Sequence, residues 1–132
     1  MIIGHGVDLV EHDSFERLVA QEEAFLSRCF TEGEIATGKS NVDPVQWFAS
    51  RFAVKEAVMK ALGTGFTQGV SWHEITAASS ETEAPRVQLT GTAARIAGQK
   101  LVAQWHLTIS HTKRFSIASV IAVADSRPPQ AL

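Results

Sequence analysis

One segment, Asp43 to Gly65, constrains this chain more than any other, because it reads as a single long helix with both ends marked. Asp43 can cap, Pro44 suits the first helical position, and Gln46 completes a capping box. Gly63 is a natural left-handed stop, and about five turns of good helix formers lie before it. Trp47, Val54, Ala57, Val58 and Ala61 form one apolar stripe, which Phe48, Phe52 and Met59 widen until little of the circumference is left for water. Such a helix is buried, yet it carries Arg51, Lys55, Glu56 and Lys60. Buried charges need partners. Arg51 and Lys55 are moreover like charges at i and i+4, unfavourable unless an anion lies between them. The set points to a helix handling phosphate and a metal, with the bare Gly63-Thr64-Gly65 loop open to a ligand. The competing reading is a core helix whose cations reach outward and whose Glu56 pairs with Lys60 at i+4.

The rest of the 132 residues supports one domain around that helix, spanning residues 1–124, with a flexible tail at 125–132 marked by Pro128-Pro129. A formal net charge of −2 makes no case for nucleic acid or an acidic membrane as partner. A single cysteine, Cys29, excludes an intramolecular disulfide and fits a reducing, cytoplasmic location. No apolar run reaches transmembrane length, and the N-terminus lacks a basic flank and cleavage signal.

Met1 to Val10 reads as a strand in which Gly4 and Gly6 allow another backbone to approach. Its anomaly is Asp8, which at period 2 shares a face with Ile2 and Val10 unless it sits at the strand end and caps the next turn. A helix is expected over Asp13 to Gln21, capped by Asp13 or Ser14 and burying Phe15, Leu18 and Val19. A short helix around Glu22 to Arg28 follows. Thr31-Glu32-Gly33-Glu34 then forms a capping box that opens a helix ending near Gly38. After Gly65 the period changes to 2, giving strands at Trp72–Ala78 and Arg86–Thr90 around a polar turn at Ser79 to Ala84. Thr92 to Leu101 reads as a helix with Ala93, Ile96, Ala97 and Leu101 inward. Strands Trp105–Ser110 and Phe115–Ala124 flank the turn His111-Thr112-Lys113-Arg114, which could bind an anion or be an ordinary solvated hairpin. His5, His12, His73, His106 and His111 lack the spacing of a zinc site, and no Walker or GxSxG pattern occurs. Trp47, Trp72 and Trp105 read as core, since no basic stripe accompanies them.

The order of these signals is more specific than any one of them. Gly6-Val7-Asp8-Leu9-Val10-Glu11, Phe30-Thr31-Glu32-Gly33-Glu34, Arg51-Phe52-Ala53-Val54-Lys55-Glu56-Ala57 with Lys60-Ala61-Leu62-Gly63-Thr64-Gly65, and Ile109-Ser110-His111-Thr112 together resemble the holo-[acyl-carrier-protein] synthase family, the short class of 4′-phosphopantetheinyl transferases. The resemblance spans about residues 1 to 124. It implies an α+β fold with an antiparallel sheet packed on a long central helix, assembled as a trimer with sites between subunits. It implies transfer of 4′-phosphopantetheine from coenzyme A to a serine of acyl carrier protein, releasing adenosine 3′,5′-bisphosphate. The family's metal carboxylates fall on Asp8 and Glu56, which would hold Mg²⁺. Lys60 would stabilise the phosphates and leaving group, and Arg51, Gly63, Thr64, Gly65, His111 and Thr112 match the coenzyme A surface. The carrier serine's proton would go to Glu56 or to water on the metal. One departure stands out: family members carry basic residues on the first helix to meet the carrier, whereas here Arg17 is its only formal cation, with Arg28 further on. Two other classes keep part of the pattern: a Mg²⁺ enzyme acting on another nucleotide-like substrate, and a non-catalytic coenzyme A or nucleotide-binding module. The second would not need both carboxylates.

Overall fold

The computed structural model describes residues 1–65, 68–79 and 83–125. In chain order the elements are strand β1 (Ile2–Glu11), helices α1 (His12–Gln21), α2 (Phe25–Cys29), α3 (Glu32–Lys39) and α4 (Pro44–Leu62), strands β2 (Ile75–Ala78) and β3 (Arg86–Leu89), helix α5 (Gly91–Gln99), and strands β4 (Val102–His111) and β5 (Phe115–Ala124). The fold is α+β. Strands β1, β5 and β4 form an antiparallel sheet in that order, and β2 and β3 form a separate antiparallel pair. Of the tail expected at 125–132, only Asp125 lies within the described residues, as does only part of the turn expected at 79–84.

Helix α4 obeys its sequence signals at both ends. Asp43 accepts a hydrogen bond from the Gln46 backbone N–H at 3.2 Å, Pro44 occupies the first turn, and Gly63 takes φ +73°. The reciprocal half of the expected capping box is absent, because the Gln46 amide donates instead to Ser50 Oγ at 2.8 Å. The helix lies on the inner face of the three-stranded sheet, where Gly4 and Gly6 admit it: a Cβ on either would collide with the carbonyl of Ala61 or Ala57. Its flanks then fill two cores. Ala53, Val54, Ala57, Val58 and Leu62 pack with Ala118, Val120, Ile75 and Ile96, while Phe48 and Ala49 pack with Phe15, Phe25, Cys29 and Phe30.

The charged residues of this buried helix do find partners. Lys55 is 1% exposed, and its three N–H donors go to Glu34 Oε1 (3.0 Å), the Trp72 carbonyl (2.9 Å) and the Ile75 carbonyl (2.6 Å). Glu34 is the glutamate of the Thr31 capping box. It also acts on Arg51, opposing the downward pull of burial on that guanidinium's proton affinity. The anion expected between Arg51 and Lys55 is therefore this chain's own carboxylate.

Several boundaries differ from the sequence expectation, among them β4, which begins at Val102 rather than Trp105 and takes in His111. α1 starts at His12, without a side-chain cap, because the His12 N–H donates to the Arg114 carbonyl at 2.8 Å and a tertiary contact sets its start. α2 starts at Phe25 rather than Glu22. Trp72–Glu74 is a 3₁₀ turn rather than strand, opened by a Ser71–Glu74 capping box. Leu101, expected inward, is 73% exposed at φ +63° in the turn that ends α5.

Cys29 is fully buried, and burial pushes its thiol up to about 12. The native protein is expected to leave a disulfide reagent unreacted at neutral pH, whereas guanidinium-unfolded chains release one equivalent; rapid labelling of folded protein would contradict that packing.

Candidate active site

Asp8 and Glu56, the two sequence anomalies, line one cavity of about 420 Å³ together with Leu9, Val10, Glu11, Ser14, Phe15, Leu18 and Phe52. Asp8 reaches it from within β1. A register shift between Ile2 and Gly4 puts Ile2 opposite Val123 and Asp8 opposite Ala118, so Asp8 shares the inner face with Gly4, Gly6 and Val10 but not with Ile2. It is neither at the strand end nor a turn cap.

The pairings also differ from the local reading of the helix. Lys60 turns away from Glu56, donating to Asp8 Oδ1 at 3.0 Å and to the Val7 carbonyl at 2.9 Å. Glu56 Oε1 accepts from Trp72 Nε1 at 3.0 Å. Each carboxylate thus has one oxygen engaged within the chain. Two carboxylates lining one cavity beside apolar walls suit a hard, oxygen-seeking cation that keeps waters and shares phosphate ligands. No group of three or more His, Cys, Asp or Glu that could hold a metal ion occurs among the described residues, so a cation held by Asp8 and Glu56 would draw its other ligands from water or substrate.

The other expected site residues are dispersed. Arg51 lines a second cavity, of about 390 Å³, with Thr31, Glu34, Trp47 and Thr76. Its guanidinium lies 5.0 Å from the Trp47 ring centroid, and its Nε is buried without a hydrogen-bond partner among the described residues. Gly63, Thr64 and Gly65 form the exit of α4, with Gly65 at φ +51° and Thr64 buried between the two exposed glycines. His111 and Thr112 sit at the tip of the β4–β5 hairpin, in a shallow cleft with Leu9, Phe115 and Ile117. Thr112 Oγ1 accepts from the Arg114 and Phe115 N–H groups (3.2 and 3.1 Å), which leaves its O–H as a donor.

Sequence reasoning missed Trp72 as the partner of Glu56, although Ser71-Trp72-His73-Glu74 carries the S-x-x-E signature that moves Trp72 out of a strand. It also missed the aromatic cluster, in which Phe15, Phe25 and Phe52 meet pairwise in edge-on and tilted contacts at 5.6–5.8 Å and Trp72 tilts against Phe52 at 5.9 Å. On α1, the exposed Arg17 donates to Ser14 Oγ (3.2 Å) and pairs with Glu11 (4.0 Å).

A family model described as the 4′-phosphopantetheinyl transferase superfamily matches residues 4–120. The holo-[acyl-carrier-protein] synthase of Solibacter usitatus is 41% identical over 122 residues, covering 92% of this chain and 98% of that protein. The crystal structure of the synthase from Neisseria meningitidis matches with a TM-score of 0.84 at 30% identity, over 93% of this chain and 99% of that one. The Bacillus anthracis synthase, solved in complex with CoA (3′,5′-ADP), matches with a TM-score of 0.77 at 30% identity, over 95% of this chain and 99% of that one. On sequence and fold together, the chain belongs to the holo-[acyl-carrier-protein] synthase family of 4′-phosphopantetheinyl transferases.

Proposed function

We propose that this chain transfers 4′-phosphopantetheine from coenzyme A to a serine of acyl carrier protein, and that a single domain over residues 1–124 does so in the cytoplasm. The observation that carries this reading is the meeting of Asp8 and Glu56 at one cavity walled by Phe15 and Phe52, with Lys60 bonded to Asp8. A non-catalytic binding module would need the cations and glycines but not two converging carboxylates. Asp8 and Glu56 are the residues that would hold Mg²⁺. When bound, the ion supplies positive charge against the pyrophosphate and the charge that develops during displacement. The carrier's serine hydroxyl is the nucleophile; its O–P bond forms as the P–O bond to adenosine 3′,5′-bisphosphate breaks, with the serine proton leaving to Glu56 or to water at the site. Trp72 holds Glu56 in place, and Phe15, Leu18 and Phe52 keep water from the reacting phosphorus. Lys60, anchored on Asp8 and Val7, steadies the leaving phosphate. With coenzyme A and apo-carrier, adenosine 3′,5′-bisphosphate is expected to appear one for one with modified carrier. Hydrolysis of coenzyme A without carrier modification would overturn the reading.

Arg51, Gly63, Thr64, Gly65, His111 and Thr112 are assigned to coenzyme A. Their dispersal over one chain favours a site completed by a second copy, in a homotrimer. The outer face of the three-stranded sheet supports this. Leu9 opposite Ile117, and Val7 opposite Ser119, lie on that face with Val7, Leu9 and Ile117 exposed, an apolar area a neighbour would cover. Mixing His111→Ala and Glu56→Ala chains, assayed below the KM for coenzyme A, is expected to restore activity above the sum of the two. Arg51→Glu is the alternative partner for Glu56→Ala. Sedimentation of the wild type as a monomer at assay concentration would contradict the shared site.

Lys60 and Arg51 should separate kinetically. Lys60→Ala is expected to lower kcat about a hundredfold with little change in coenzyme A affinity, because its charge matters most as the bond breaks. Arg51→Ala should mainly raise KM, losing a ground-state phosphate contact. Effects of both confined to KM would remove Lys60 from the catalytic set.

A further inference from the structure

His12 is the first residue of α1, 7% exposed, and its ring lies among the packed faces of α1, α4 and β5. Its Nδ1 is 3.0 Å from the Lys113 carbonyl, which can only accept, so Nδ1 carries a proton. Its Nε2 is 2.8 Å from Ser116 Oγ. Ser50 Oγ donates to Ser116 Oγ at 2.9 Å, and Gln46 Nε2 donates to Ser50 Oγ at 2.8 Å. A consistent assignment runs one way: Gln46 to Ser50, Ser50 to Ser116, Ser116 to His12, and His12 to the Lys113 carbonyl. It places a proton on Nδ1 and makes Nε2 the acceptor from Ser116.

Two adjacent members of this chain lie beside residues assigned to coenzyme A. Ser50 precedes Arg51 on α4, and Ser116 is the cross-strand partner of His111. The His12 N–H also takes the Arg114 carbonyl, so one residue holds two consecutive carbonyls of the turn that follows Thr112. The turn is exposed at Thr112, Lys113 and Arg114, and its own closure is limited to Thr112 bonding Phe115 and Arg114. Burying two serines and a histidine costs desolvation that apolar side chains would not incur, and Phe15, Phe48 and Ala49 already join α1 to α4. A directed polar chain adds fixed orientation, which apolar packing does not supply.

We propose that His12 is a positioning residue for coenzyme A: through Lys113, Arg114 and Ser116 it fixes His111 and Thr112 relative to the α4 turn that carries Arg51. The inference rests on the assignment of those three residues to coenzyme A. His12 itself touches no substrate.

The test compares His12→Gln and His12→Asn in the full chain, with His111→Ala alongside. An asparagine amide can stand near Nδ1 and keep the bond to Lys113, whereas a glutamine amide stands near Nε2 and loses it. His12→Gln is expected to raise KM for coenzyme A about tenfold, the loss of one buried hydrogen bond, with KM for the carrier within about twofold. His12→Asn should recover most of that loss. A purely structural histidine would instead lower the melting temperature in both variants without separating the two KM values. If His111→Ala raises KM for coenzyme A while both His12 variants leave it unchanged, the positioning role is wrong and the coenzyme A assignment stands. If His111→Ala also leaves it unchanged, the assignment of the hairpin falls, and this inference with it. Should the His12 variants not fold, nitrogen NMR of the wild type decides: Nδ1 is expected to carry a proton, and a ring protonated at Nε2 alone in the folded protein overturns the proposal.

Discussion

Asp8→Ala and Glu56→Ala are each expected to remain folded and to transfer 4′-phosphopantetheine about a thousandfold more slowly, since several kcal/mol of charge stabilisation would be lost. The two should differ in stability. Removing Asp8 releases the ammonium of Lys60, whose side chain is 52% exposed and can turn to water. Removing Glu56 leaves the Trp72 indole N–H without its acceptor in a half-buried position, a cost of about 1 kcal/mol. Calorimetric Mg²⁺ titration should show weakened binding for both. If Glu56→Ala turned over normally at low Mg²⁺, its assignment as a metal carboxylate would be wrong.

Lys55→Met is expected to damage the fold rather than the chemistry. The substitution keeps the volume but leaves Glu34, the Trp72 carbonyl and the Ile75 carbonyl without the ammonium that joins them. Breaking a buried pair from one side costs about 3 kcal/mol, or roughly a 10 °C fall in melting temperature for a domain of this size. The carbonyls of Trp72 and Ile75 bracket the turn that aims Trp72 at Glu56, so a smaller loss of kcat should accompany the loss of stability. An unchanged melting temperature would mean that the three bonds to Lys55 contribute nothing net.

The sequence made the local devices legible and left the tertiary pairings hidden. The Asp43 cap, the Gly63 stop and the Thr31–Glu34 capping box each depend on residues a few positions apart, and each is where its sequence puts it. Asp8 and Glu56 stood out because a carboxylate is expensive among apolar neighbours wherever the chain goes. That Lys60 would choose Asp8 over Glu56 was not readable from helical spacing, since it depends on Gly4 and Gly6 letting α4 close onto β1. The start of α1 was hidden for a similar reason: its determinant, the Arg114 carbonyl, lies about a hundred residues away and is met only after β1 pairs with β5. In the sequence Glu34 reads as a cap alone; its second use, for Lys55 and Arg51, follows from how α3 packs on α4.

The most direct test is the intact mass of an apo acyl carrier protein after incubation with this chain, coenzyme A and Mg²⁺. The account predicts a gain of one 4′-phosphopantetheine on the carrier's serine, absent when that serine is alanine and absent with the Glu56→Ala chain. An unmodified carrier under conditions where the chain binds coenzyme A would contradict the account, and would leave a coenzyme A-binding protein whose two carboxylates serve something else.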